Sequence, residues 1–275
     1  MAAIAERITV LQLAIACAAS AQCAAHGAPD LLASGSAPGW ALAWRGTSLS
    51  ADRGALSDFE ASARFHPAPG WDLGFRWSFS SLYLPGVLPG GWGAGLSDPG
   101  LEAGYRIRAG SWALGAAGQL SAPLGHAGDG IGSDGFGAAA WLSAAYERAH
   151  LAAGLSTGLR GMTGAGNGAD AHSHADPPER AYASAHPHAD REWAYRAETE
   201  WRPGPAAFSL GLDGAHVLGR SMGAEGTDFL QGEASLRFTL AGSSWKPSAR
   251  FPLSPDRRLG FGAGLEMERP WQDFR

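Results

Sequence analysis

The residues best suited to chemistry are four histidines set in two pairs, His172 with His174 and His186 with His188. Asp170, Asp176 and Asp190 stand beside them. Imidazole and carboxylate are donors that can take Zn or Cu. The segment that carries them, residues 161–191, is rich in Gly, Ala, Asp, Pro and His and low in large apolar side chains. It offers no packed frame to fix coordination geometry, so a flexible external loop is the first reading and metal capture the second. Capture would depend on pH, because an imidazole ligand must be neutral.

A second set of groups recurs at alternate positions along the chain. It comprises Glu60, Arg64, Arg76, Glu102, Arg106, Arg108, Glu192, Arg196, Glu198, Glu200, Arg202, Glu233 and Arg237. Charges of both signs on one face could line a polar passage, or they could close it with salt bridges. Arg76, Arg106 and Arg108 would form a basic track facing the acidic run from Glu192 to Glu200. Catalysis has less to stand on. A lipid-cleaving barrel would need a Ser and a His two residues apart on one strand face, so that nucleophile and base meet. Two positions from His66 lie Arg64 and Ala68, from His150 Arg148 and Ala152, from His216 Gly214 and Leu218. No P-loop or dinucleotide fingerprint is present, and no cofactor is implied. The expectation is a chain that is not an enzyme.

The elements that position these charges are strands. Leu101, Ala103, Tyr105 and Ile107 alternate with Glu102, Gly104, Arg106 and Arg108. Trp193, Tyr195, Ala197, Thr199 and Trp201 alternate with Glu192, Arg196, Glu198 and Glu200. The same alternation runs through Phe59–Phe65 and Trp71–Phe79. A helix would mix the two sets on one face, whereas a strand keeps them apart. Twelve such segments are counted, near Trp40, Phe59, Trp71, Leu101, Trp112, Phe136, Leu151, Trp193, Phe208, Leu230, Trp245 and Leu259. Alternating segments of about ten residues, even in number, are the signature of a bacterial transmembrane barrel.

The connections alternate as well. Short ones fall at 66–70, 109–111, 147–150, 203–206 and 241–244, and longer ones at 46–55, 85–100, 123–135, 161–191, 219–228 and 252–258. Short periplasmic turns and long external loops have this rhythm. Trp40, Trp71, Trp112, Phe208 and Trp245 each open a strand on the short-turn side, where amphipathic rings settle at headgroup level. Trp193 and Trp201 would bracket one strand on its lipid face. Eight residues at about 3.3 Å each, tilted by about 40°, cover roughly 20 Å of depth, close to an apolar band of about 25 Å.

Composition agrees. The 275 residues are 45% hydrophobic with a formal charge of −5, which gives no footprint for nucleic-acid binding. Gly at 40 and Trp at 11 suit closely packed strands with rings at an interface. Lys246 is the sole lysine, most simply a mark of base composition. Arg7 followed by the apolar stretch from Ile8 to Ala19 reads as a signal peptide, residues 1–25, cleaved after Ala21 or Ala25. Residues 26–275 would then form the barrel. Cys17 and Cys23 both lie in or beside the signal, so cleavage after Ala25 leaves no disulfide or thiolate site.

The stretch GLSDPGLEAGYRIRAGSWALGAAGQLSAPLG, a Gly/Asp-rich loop, and GFGAAAWLSAAYERAHLAAGLSTGLRG carry a further signal. Gly95, Asp98, the Tyr105-Arg106 pair, Pro123, Gly125, Gly135 and Gly137 fall in an order that resembles the outer-membrane transporter family associated with the MetA pathway of phenol degradation. The resemblance covers about a quarter of the chain and implies a barrel with a transport role and no catalytic residues. Such barrels usually end on an aromatic residue. Here Phe274 is penultimate, Arg275 is last and Pro270 interrupts the final strand, which would either weaken the assembly signal or leave Trp271 to close the strand.

The expected architecture is all-β: a transmembrane antiparallel up-and-down barrel of about 12 strands in the outer membrane of a Gram-negative bacterium. The expected function is passive or facilitated passage of a small-molecule solute, with outer-membrane lipid and the barrel-assembly machinery as partners. Two rivals stand beside it, a structural or surface-binding barrel with a salt-bridge-filled lumen and, less favoured, a lipid-acting enzyme.

Overall fold

The structure is a computed structural model that describes residues 38–48, 55–83, 91–124, 136–162, 191–218, 228–254 and 260–270. Thirteen strands follow one another: β1 (Gly39–Ser48), β2 (Ala55–Phe65), β3 (Trp71–Tyr83), β4 (Trp92–Leu96), β5 (Gly100–Ala109), β6 (Trp112–Ser121) and β7 (Gly137–Arg148). They continue as β8 (Leu151–Met162), β9 (Arg191–Trp201), β10 (Ala206–Val217), β11 (Asp228–Leu240), β12 (Ser243–Pro252) and β13 (Gly262–Pro270). Each pairs antiparallel with its neighbour, and β1 pairs with β13, so the sheet closes on itself. β4 and β5 lie in succession along the same flank of β3 and act as one interrupted strand. The ring therefore has twelve staves, as the alternation predicts.

The interruption corrects one expectation. Residues 85–100 read as a single external loop, yet Trp92–Leu96 is a strand that pairs with Phe79–Tyr83. Between the Phe79–Leu96 and Arg76–Gly100 pairs, three residues (Ser97, Asp98 and Pro99) oppose two (Trp77 and Ser78). This is a bulge, and it reverses the facing of every residue beyond it. Leu96 and Leu101 both face out although their numbers differ in parity. The Ser97 amide donates to the Ser78 carbonyl at 2.8 Å and the Trp77 indole to the Ser97 carbonyl at 2.8 Å, so the kinked backbone keeps its hydrogen bonds.

On the short-turn side, β11 and β12 join through Ala241 and Gly242, both at positive φ, as a tight hairpin requires. The outward parity is apolar around the ring: Phe59, Phe75, Leu101, Leu114, Leu142, Leu155, Leu210 and Leu265 are all exposed. A surface of this kind suits hydrocarbon rather than water. Rings pair at its short-turn edge, Trp71 with Tyr105 at 5.1 Å, Trp112 with Tyr146 at 5.0 Å and Trp201 with Phe208 at 6.0 Å. Glycine serves this surface directly. Tyr195 lies over its cross-strand partner Gly214, and Phe251 over Gly232, where an added Cβ would sit within 2.3 Å of ring carbon. Aromatic and glycine in these pairs act as one packing unit.

Candidate functional site

The inward parity holds the charges, and they are unevenly distributed. On β9 to β12 they form a connected chain. Arg196 reaches both carboxylate oxygens of Asp213 at 3.2 Å and Glu198 at 3.2 Å. Lys246 lies 3.9 Å from Glu198 and 4.0 Å from Glu233, and Arg250 closes on Glu233 at 3.0 Å. Gly211 adjoins the chain, and a Cβ there would stand in ordinary contact, 3.7 Å from the Glu233 Cβ and 3.9 Å from an Arg196 nitrogen. Glu200 is held separately by Arg202 at 2.5 Å, Arg237 at 3.4 Å and the Ser209 hydroxyl at 3.2 Å, and Glu192 by Arg160 at 2.7 Å. Glu192 and Glu200 are each 1% exposed. Charges so removed from water persist only when paired, and stripping away one partner costs far more than the pair contributes.

On β6 to β8 the inward positions are small. They include Ala113, Gly115 and Ala117, then Ala139, Ser143 and Ala145, then Ala152, Gly154, Ser156 and Gly158. Gln119, Glu147 and Arg160 are the polar exceptions, and one large apolar side chain stands among the small ones. Trp141 is 2% exposed and lies on Gly158, its register partner, where a Cβ would meet the indole at 2.6 Å. Ala139, Ala194 and Ala215 pack with it. Its indole nitrogen donates to the Gln119 side-chain oxygen at 3.4 Å, and the Gln119 amide donates to Glu102 at 3.3 Å.

Strands β2 to β5 carry Arg64, Arg76, Arg106 and Arg108 on the inward parity. The ion-pair partners are local: Arg106 with Asp72 at 4.0 Å and Arg108 with Glu147 at 3.2 Å. Arg76 packs against Gly100, the first residue beyond the bulge. The acidic run on β9, meanwhile, is engaged by cations of β8, β9, β11 and β12. Glu147 also lies 3.9 Å from Arg202, so a carboxylate of β7 stands between the two groups of charge.

Members of this interior that were not singled out from the sequence include Trp141, Gln119, Arg160, Asp213 and Arg250. Trp141 looks like a lipid-facing residue because it is apolar. The pairing of Trp112 with Tyr146, both outward, fixes the parity of β7 and turns Trp141 inward. The role of Lys246 in bridging β12 to β9 has no trace in sequence spacing.

The histidines of strands and turns have ordinary partners. His66 meets Asp72 at 2.7 Å, His150 the Arg202 carbonyl at 3.0 Å and His216 Asp228 at 2.7 Å. No group of three metal-ligating side chains occurs among the described residues. His172, His174, His186 and His188 lie outside the described residues, as do the signal segment and the residues after Pro270.

No protein-family model and no curated protein matches the chain. Solved structures do share its fold. An outer-membrane channel from Pseudomonas putida F1 superposes with a TM-score of 0.63 at 14% identity, over 85% of this chain and 96% of that one. The NanC porin gives 0.52 at 7% identity, over 82% and 97%. The KdgM porin, solved with disordered oligogalacturonate, gives 0.50 at 9% identity, over 84% and 99%.

Proposed function

We propose that the chain is an outer-membrane channel through which a small solute crosses passively or by facilitated diffusion. The observation that carries this reading is the division of one closed sheet into two surfaces. The outside is apolar around the ring and the inside bears charges of both signs. The channel and porin structures that share the fold support the same reading, and the sequence resemblance to the phenol-degradation transporters agrees with it without naming a solute. Arg64, Arg76, Glu102, Arg106, Arg108, Glu192, Arg196, Glu198 and Glu200 are the residues proposed to line the passage. Planar-bilayer recording tests this directly. The refolded, heat-modifiable barrel should give discrete conductance steps, and silence from correctly folded protein would overturn the proposal. Recovery from cells as a soluble periplasmic protein without detergent would overturn the location.

A second reading rests on one observation, the near-complete burial of Trp141, Gln119, Glu192 and Glu200. An interior so filled suits a structural barrel whose external loops do the work. Removal of residues 169–189 should then leave the barrel folded but abolish whatever the surface binds. Zn or Cu titration, with His172, His174, His186 and His188 changed to Ala as the comparison, reads out the metal version.

A further inference from the structure

We infer that Arg76 and Glu102 form a dipolar docking site on the inner wall, suited to a small solute that carries both a carboxylate and an ammonium group, of the α-amino acid kind. This deepens the channel reading above and rests on it. Both residues stand on the inward parity of neighbouring strands. Arg76 is paired with Gly100 and Glu102 with Gly74, so the two are diagonal neighbours, about 7–8 Å apart at the main chain and within reach of one solute. They do not close on each other. The Arg76 stem lies across Gly100, where a Cβ would stand 2.9 Å from its Nε and 3.2 Å from its Cγ. Glu102 is drawn the other way, and its Oε2 accepts the Gln119 amide of β6 at 3.3 Å.

The bulge at Ser97–Pro99 brings this pair about. Along β4 the residues Trp92, Ala94 and Leu96 face out, and Gly93 and Gly95 face in. Continued without the bulge, that phase would turn Leu101 inward and Glu102 towards the lipid. The bulge instead sets Gly100 and Glu102 inside, against Arg76. Among the described residues, none accepts a hydrogen bond from the Arg76 guanidinium and no carboxylate lies within ion-pair distance of it. The charges that act on it are Glu60, Glu102 and Arg45, and Glu60 is already engaged by Arg45 at 3.6 Å. Arg76 and Glu102 are both half-buried, so each keeps part of its surface on the interior. A simple anion at Arg76 would meet the field of two carboxylates, and a simple cation at Glu102 would meet the guanidinium. A solute with both charges meets each with its opposite, its carboxylate on the Arg76 fork and its ammonium on Glu102.

The test uses the whole barrel in proteoliposomes at neutral pH, with L-serine and the uncharged polyol erythritol as probes of similar size. In swelling assays the native protein should admit serine faster than erythritol. R76Q and E102Q should each lower the serine/erythritol ratio by about threefold or more, the scale of one solvated ion pair. G100A changes no charge, yet its Cβ must displace the Arg76 stem, so it should lower the ratio as well. A diffuse electrostatic effect of the arginine would not respond to G100A. A native barrel that admits both probes without favouring serine overturns the site, and so does an R76Q ratio equal to the native one. An E102Q ratio at or above the native one makes Arg76 a docking group for carboxylates in general and overturns the dipolar reading. A folded native barrel that admits neither probe overturns the channel reading itself.

Discussion

The wall built from β6 to β8 and the wall built from β9 to β12 face the same interior and fill it by opposite means. The first offers glycine, alanine and serine and lets one tryptophan occupy the space they leave. The second offers glutamate, aspartate, arginine and lysine and fills the space with a chain of ion pairs. Dispersion holds the first wall, where Trp141 gains by contact and tolerates any neighbour of the right shape. The second depends on electrostatic bookkeeping, because each of its charges is unfavourable in the absence of its partner. A closed barrel can therefore be occupied either by shape or by charge, and this one divides the task between two sectors.

The largest effects should come from the centre of each wall. Trp141→Ala leaves a cavity over Gly158 and should cost about 3–5 kcal/mol in urea unfolding, largely recovered by Trp141→Phe. Arg196→Met strands Asp213 and Glu198 and should cost about the same, 3–5 kcal/mol, with no recovery from apolar replacements that only restore volume. If Asp213→Asn with Glu198→Gln fails to relieve the Arg196→Met variant, the second wall does not work by charge. Next comes the distinction between inside and outside. Leu142→Arg puts a cation on the lipid face near mid-depth and should cost about 2–4 kcal/mol, while Arg76→Leu on the inner face is tolerated. Equal losses would reverse the assignment of faces. Gly158→Ala should cost about 1–3 kcal/mol, since its Cβ would meet the Ala140 carbonyl at 2.4 Å as well as the indole. The smallest effect belongs outside both walls. His216 and Asp228 pair at 2.7 Å with side chains 45% and 68% exposed, and His216→Ala should change stability by about 0–1 kcal/mol.

Much of the barrel is legible in the sequence because lipid and interior impose opposite demands on alternate residues. Trp193 and Glu192 announce their faces without any knowledge of their neighbours. Legibility fails where that rule is suspended. Trp92–Leu96 escapes because the bulge at Ser97–Pro99 shifts the phase, so the alternation before it cancels the alternation after it. Trp141 escapes because an interior built for shape accepts the same residue types as the exterior. The partnership of Lys246 with Glu198 escapes for a different reason. It depends on curvature that brings non-neighbouring strands together, and no spacing along the chain encodes curvature.

The pairing of β1 with β13 has a consequence in time. Gly39 finds its partner in Pro270, and Thr47 finds its own in Gly262, positions separated by nearly the whole described chain. Every other seam joins strands that are neighbours in sequence, so hairpins can form as the polypeptide is delivered. The last seam waits until the final strand arrives. Its entropic cost rises only slowly with the length enclosed, by about 0.6 kcal/mol for each doubling. Delay is the greater hazard, because until closure two strand edges stand open to whatever else is present. A partner that covered β1 during that interval would be protecting a clock, and its release would have to be triggered by β13.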